Sequence, residues 1–582
     1  MSEQILTGKP SIDKPWLKYY PPILMDNLKV PECTLRQYLQ FCMPSLDTVA
    51  MHYYGVNITW KEVFEQADIC AKALKAVGFG EGDQIPVFLR SVPEFFFMLL
   101  AAETIGASLL CRDNTIQENV DAVAKSGAAV IFAHDFLSMS DMDAYMQGSM
   151  TRKVVLLDPC NLCGRSKMPP YIRKALDANY IDESADGPAT MSWGDFQALG
   201  EGFTGNVAAP QDIDRPLFRC YTSGSTGPSK QVIHSAHSMI GVLAQMSFYG
   251  GAEVRPTWMV AAFPPSLVSV VISMLFLPLA SNKLLILNPW VDPIDIDLEL
   301  MRYKPNSFPM VPMMMNILIN SKRIPADYDM SFLNTAGAGS EALNNTQLRA
   351  CRKFLDDHNC HVPFTTAYGS SESGATIGFH LLPHVPTDNC NMGCPRPLST
   401  VSIFKTGTTQ EVTYNEIGEI CVSGPGIMLG YDDPVATAKA LKVHPDGKVW
   451  LHMGDSGYMT EEGCIYTVGR GVSKRYGGGY LDILPMENML ADANIPGIVD
   501  QFFVNIPDPV HEGFFVPYLY VVLEKGVTVE NIRREVAASL KPHMVPAQIV
   551  QVPERPFWHF KTNRIGLTKE VLAERQAQAK RA

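Results

Sequence analysis

Along the first third of the chain, apolar and polar positions fall into a repeating step. From Ile58 to Val77 apolar side chains recur at helical spacing, EGDQ at Glu81 to Gln84 reads as a turn, and Ile85 to Leu89 is a short apolar strand. The step returns from Pro93 to Gly106, where EFFFMLLAAETIG is helical in length and leads into the strand ASLLC, and again in AKSGAAVIFA from Ala124 to Ala133. Helix and strand in alternation predict an α/β unit built on a parallel sheet. Residues 155–215, with paired Cys, several Pro and scattered Asp and Gly, hold no sustained period and read as a long connecting region.

Alternation resumes from 216 to 395, through LFRCY, a Gly/Ser turn, a helix from His237, the strand KLLILN, a Met-rich helix at Met313 to Ile319, and strands leading to FLNTAGAG and FTTAYG. Short strands between Gly, Pro and Asn turns then predict a smaller β-rich module at 396–470. Beyond Arg470 come GVSKRYGGGY, a helix, the strands QFFVNI and YLYVVLEKG, a helix at Val529 to Leu540 and a basic tail. The expected divisions are therefore 1–215, 216–395, 396–470 and a separate unit at 471–582.

Thr257 to Asn282 contains no charged residue. Pro264, Pro265 and Pro278 interrupt it, so a buried loop and helix are expected rather than a membrane span. At 582 residues the chain has room for about four domain-sized units. Its 46% apolar and 19% charged residues set disorder aside. Forty-eight basic against 60 acidic side chains give a net charge of -12, which provides no global field for nucleic acid or an anionic membrane. Thirteen irregularly spaced cysteines fit buried thiols in a reducing, cytoplasmic setting, and MSEQILTGKPSIDKPW does not read as a secretory signal. Cys160/Cys163 and Cys390/Cys394 have no second signature to mark them as a zinc site. The Met313, Met314, Met315 cluster reads first as flexible core filling, with the wall of an apolar pocket as the alternative.

The sharpest chemical signal is YTSGSTGPSKQ at Tyr221 to Gln231, between a strand and a helix. Small residues let backbone approach an anion, hydroxyls donate hydrogen bonds, and Lys230 offers a mobile charge to phosphate oxygens. Because Gln231 follows Lys230, the segment is not the GxxxxGK[ST] loop of NTPases. In this loop, and in TAGAGSE (Thr335 to Glu341), YGSSE (Tyr368 to Glu372), GEICVSGPGIMLGY (Gly418 to Tyr431), MGDSG (Met453 to Gly457) and Gly469-Arg470, the chain resembles the acyl-adenylate-forming superfamily. That superfamily includes acyl-CoA synthetases, peptide-synthetase adenylation domains and luciferases. The resemblance implies an α/β fold with two mixed α/β subdomains and a small β subdomain, followed by a mobile α+β C-terminal domain.

It also implies roles. Thr222, Ser223, Gly224, Ser225, Thr226 and Gly227 would wrap phosphates beside Lys230. Gly337 and Ala338 would line the nucleotide pocket, Tyr368 and Gly369 would face adenine, and Ser371 would keep a hydroxyl near the α-phosphate. Glu372, with Thr226, would hold Mg2+. Asp455 would accept from the ribose hydroxyls, and Arg470 would add a ribose or hinge contact. The expected reaction joins a carboxylic acid to ATP, then passes the acyl group to the thiol of CoA or of a carrier-bound phosphopantetheine. A nucleotide-binding protein without catalysis is the remaining alternative.

Three places depart from the family pattern. The tail HFKTNRIGLTKE puts Gly566 or Leu567 where the usual catalytic lysine stands, leaving Lys561, Arg564 and Lys569 as nearby cations, with Arg564 the first choice. Val472 stands where the hinge usually has an acid. Gly477, Gly478 and Gly479 resemble the loop lining the thiol tunnel, and equally fit a simple turn. AFPPSLVS at Ala262 to Ser269 lacks the histidine or second aromatic common at the acid entrance. The acid expected from the apolar segments is hydrophobic, fatty or aromatic.

Overall fold

Each predicted helix-to-strand step has a visible local cause in the computed structural model, which describes residues 6–579 except 114, 180–188, 223–228, 248–254, 381–390, 471–473, 477–478 and 559–560. The first long helix spans Trp60–Ala76. Thr59 caps it, its side chain accepting from the Glu62 N–H while the Glu62 side chain takes the Thr59 N–H. Helix Pro93–Ile105 is apolar on every side and buried on almost every side, and Gly106 ends it at φ 77°.

The strands form two large sheets. One has eight strands in the order, by first residue, Gly430, Gln231, Pro216, Ser108, Gln84, Val130, Lys153, Thr190, and is parallel from Pro216 onward. The other has nine, in the order Cys394, Ala375, Phe364, Thr335, Ser307, Thr257, Leu284, Val49, Val56, parallel from Phe364 to Val49. The sheets do not divide at 215/216: Val49–Tyr53 and Val56–Thr59 join the second sheet, while Pro216–Tyr221 and Gln231–Ser235 complete the first.

Residues 155–215 are more ordered than their lack of period suggested. They hold the end of strand Lys153–Leu157, helix Pro170–Asn179, strand Thr190–Ser192 and helix Trp193–Gly202. Trp193 and Phe196 are buried against the main core, and Gly200 lies so close to the backbone of Ile69 that a Cβ would meet its carbonyl oxygen at 2.2 Å. Short elements bounded by Pro and Gly hide their period. The charge-free segment divides into strand Thr257–Ala261, a wide-turn helical stretch Val270–Phe276 and helix Leu277–Ala280. Among the described residues no helix is long and apolar enough to cross a membrane.

A five-stranded sheet (Thr400, Gly418, Val449, Leu441 and Ile465 by first residue) forms the small β module. The last unit has its own core of Leu481, Met486, Phe503, Leu519, Val521 and Ile532, around a three-stranded sheet. A core separate from the main one is what a unit able to move as a body requires.

Candidate active site

Parallel strands leave their carboxyl ends as the place where loops can gather around a ligand. The Gly/Ser loop is the tip of an antiparallel hairpin, with Tyr221 paired to Gln231. Its neck is closed by Thr222, whose N–H donates to the Lys230 carbonyl at 2.9 Å and whose Oγ1 accepts from the Lys230 N–H at 3.0 Å. Ser223, Gly224, Ser225, Thr226 and Gly227 lie outside the described residues. The exposed Lys230 reaches over the ring of Tyr431, its Nζ 4.9 Å from the ring centre. The Tyr431 hydroxyl donates to Glu372 Oε1 at 2.7 Å. Thus Lys230 and Glu372, far apart in sequence, meet on one tyrosine.

Glu372 sits in the turn between strands Phe364–Ser370 and Ala375–Phe379. Ser370 and Ser373 lock that turn by reciprocal backbone-to-hydroxyl bonds of 2.9 and 3.3 Å. His234 fixes the neighbouring residue, donating from Nε2 to the Ser371 carbonyl at 2.8 Å. Burial pulls the His234 pKa down to about 4, so the ring is neutral at pH 7. Gly369 is required by packing, since a Cβ there would fall 1.5 Å from the Ala375 carbonyl oxygen. Next to it, the Tyr368 hydroxyl donates to Asp455 Oδ2 at 2.8 Å. Asp455 pairs through the backbone with Arg470 across strands Val449–Met459 and Ile465–Arg470.

Beside them lies a cavity of about 390 Å³, which Lys230, Tyr431, Glu372 and Asp455 do not themselves line. Thr222, Gly337, Ala338, Tyr368, Gly369 and Ser371 line it. Gly337 approaches strand Phe364–Ser370 so closely that a Cβ would meet the Thr365 carbonyl oxygen at 2.5 Å. The wall continues through Phe263, Leu267, Met274 and Phe308, so the AFPPSLVS segment does contribute. Met314 and Met315 are buried in the main core, away from the cavity wall.

The C-terminal unit closes over this cavity. Glu341, the last residue of TAGAGSE, accepts from the N–H and Oγ1 of Thr562, both at 3.0 Å, and from Arg564 Nη1 at 2.7 Å. Arg564 also donates to Glu487 at 2.8 Å and to the Phe503 carbonyl at 3.0 Å. Burial alone would raise the Glu341 carboxyl, but Arg564, Arg555 and Thr562 together hold it below its usual range. Arg564 is thereby committed to two carboxylates and does not line the cavity. Lys561, in the short strand Lys561–Thr562, does line it. The cation that the tail presents to the cavity is therefore Lys561. Gly479 pairs with Tyr476 and packs on His543, whose ring a Cβ would meet at 2.3 Å, while Gly477 and Gly478 lie outside the described residues.

Of the residues the sequence singled out, Lys230 and Glu372 meet on Tyr431, and Tyr368 bonds Asp455. Sequence reasoning missed His234, Tyr431 and the Glu341 to Arg564 clamp. Tyr431 ended a quoted motif and Glu341 another, yet only the fold shows which side chains they meet. His234 carries no motif signal.

A nucleotide-sized cavity whose wall holds a tyrosine bonded to a carboxylate, a lysine, and a serine next in sequence to a second carboxylate suits a class of acid-activating protein. The profile of the AMP-binding enzymes matches residues 42–432, and the chain belongs to that family. It is 25% identical over 560 residues to a long-chain-fatty-acid–CoA ligase of Bacillus subtilis, covering 92% of this chain and 93% of that one. It is also 25% identical to the luciferin 4-monooxygenase of Luciola mingrelica over 82% of both chains. The ATP-bound crystal structure of MatB from Rhodopseudomonas palustris superimposes with a TM-score of 0.75 at 19% identity, over 92% of this chain and 98% of that one. The fold is thus the mixed α/β acyl-adenylate-forming architecture with a C-terminal α+β unit.

Proposed function

We propose that the protein is an ATP-dependent acid:thiol ligase that adenylates a hydrophobic carboxylic acid and transfers its acyl group to CoA. The observation that supports this reading is that Tyr368, bonded to Asp455, and Lys561 line one cavity, with Ser371 of its wall next in sequence to Glu372, which Tyr431 joins to Lys230. Tyr368 offers a ring face to adenine, and Asp455 accepts from the ribose hydroxyls. The substrate carboxylate attacks the α-phosphorus in line and pyrophosphate leaves, so the protein's task is to bring two anions together. Lys230 and Lys561 offset charge on the phosphates as the new P–O bond forms. Glu372, an oxygen donor backed by Tyr431, suits Mg2+, which when bound neutralises phosphate charge. The thiol of CoA then attacks the mixed anhydride, giving thioester and AMP.

The test is acid-dependent pyrophosphate release with ATP and Mg2+ over a panel of acids, followed by thioester detection with free CoA or with a holo-carrier protein. Thioester on CoA supports the reading. Thioester on the carrier alone redirects the second step, and ATP binding with no pyrophosphate release from any acid ends the reading.

A further inference from the structure

The cavity does not end in hydrocarbon. At the far end of its apolar stretch stands Lys283, at the start of strand Leu284–Asn288, with its ammonium 4.6 Å from the centre of the Trp258 ring. Thr257 pairs with Leu284 and Trp258 with Leu285, so the two side chains stand on the same sheet face. Among the described residues no carboxylate lies within ion-pairing distance of Lys283, and its burial lowers its pKa with no charged partner to restore it. Two further polar atoms on the same wall, Trp258 Nε1 and Ser273 Oγ, are buried without a hydrogen-bond partner among the described residues. Buried polar groups are nearly always satisfied, so a cation and two orphaned polar atoms along one wall call for an occupant with oxygen acceptors.

Charge on the wall points the same way. Its basic side chains are Arg112, Lys283 and Lys561, against the single acid Asp113. Arg112 is stacked over Tyr221 and paired with Glu118, and Lys561 stands at the nucleotide end. Among the described lining residues Lys283 is the cation at the distal end.

We infer that the substrate is an acid with a second anionic group at its far end, a carboxylate held by Lys283 against Trp258, with an apolar chain between. This rests on the ligase reading above and names its substrate class. The register sets the length. Trp258 pairs with Ser307 and Ser307 with Thr335, and Ala338 lies three residues further toward the nucleotide end. Three residues of strand advance about 10 Å, and Ala338 also lies two strands across at about 4.8 Å each, so the separation is about 14 Å. An extended hydrocarbon chain crosses that distance in roughly eleven bonds, each advancing about 1.3 Å. The cavity matches an α,ω-dicarboxylic acid of medium length. A monocarboxylate of equal length would leave the ammonium and its neighbours buried without an acceptor.

The experiment compares decanoic and dodecanoic acids with the α,ω-diacids of the same lengths, by pyrophosphate release and by calorimetric binding. The expected result is a kcat/KM at least tenfold higher for the diacids, inverted in Lys283→Met and kept in Lys283→Arg. Because the readout is a ratio within one variant, partial misfolding does not produce the inversion. Equal or better use of the monoacids by the native protein, or a ratio unmoved by Lys283→Met, overturns the inference and leaves the ligase reading standing. Lys283-dependent diacid binding without any pyrophosphate release supports the distal site and overturns the ligase reading instead. Failure of both acid series to bind or react overturns both.

Discussion

Removing the Arg564 side chain should undock the tail of the C-terminal unit from the cavity. Its guanidinium joins Glu341 of the large part to Glu487 of the C-terminal unit, and the three side chains are 26%, 14% and 3% exposed. Breaking one partner out of such a pair typically costs about 3–5 kcal/mol, because the remaining carboxylates stay buried without their cation. Undocking needs only local separation, and at about 1.4 kcal/mol per tenfold even 3 kcal/mol raises the open population by about a hundredfold. The Thr562 amide, which donates to Glu341, reports this opening directly by hydrogen exchange. In Arg564→Ala the segment around Thr562 should exchange about two orders of magnitude faster, and adenylation should fall with it as Lys561 leaves the cavity. Glu341→Gln keeps the Arg564 to Glu487 pair and should show a smaller effect. Because the folded Glu341 sits below its usual 4.5, the clamp is complete above that pH and is lost as pH falls through the lower folded value. Native-like exchange at Thr562 in Arg564→Ala, or equal effects of the two variants, would refute a clamp centred on this arginine.

Lys561→Ala should lower pyrophosphate release by about a hundredfold or more, the cost of losing one well-placed donor, while Lys569→Ala leaves the rate within a few-fold of native. Tyr431→Phe removes the 2.7 Å bond to Glu372 but keeps the ring beneath Lys230, so a loss of up to about tenfold is expected, read as a raised requirement for Mg2+. Gly369→Ala should fail to fold or unfold many degrees lower by calorimetry, since backbone rather than a flexible side chain occupies the Cβ position. His234 is held neutral, with its pKa at about 4 against a usual 6.5, so the unfolded chain binds the extra proton and stability falls as pH drops between those values. That gap is worth roughly 3 kcal/mol once both states are protonated. Buried Glu94 and Glu103, raised to about 7, act in the opposite sense. The difference in urea stability between native and His234→Gln, measured from pH 7 to 4, should therefore shrink or reverse as pH falls.

Local pattern was enough wherever one element carried its own signal. Thr59 and Glu62 announce the helix they cap, Gly106 ends the next, and the strand ending at Tyr221 and the strand from Gln231 pair as the turn-like composition between them suggests. The ordered motifs also named Tyr368 and Asp455, which the fold joins by a hydrogen bond. The region 155–215 failed this reading because its helices and strands are brief, and what stabilises them, such as Trp193 and Phe196 packing into the main core, is contributed by residues distant in sequence.

What sequence alone determined was chemistry that resides in short windows: small residues, hydroxyls and a lysine in one loop, and acids next to glycine turns. Tertiary structure decided which of several tail cations faces the cavity. Arg564 and Lys561 are three positions apart, and nothing local distinguishes them. Two carboxylates, one on each side of a domain junction, capture the guanidinium, and the strand they anchor turns Lys561 toward the cavity. The same holds for Lys283 and Trp258, set side by side by parallel strand register. Long-range pairing fixes such partners, and a linear pattern carries no record of distance between residues that only folding brings together.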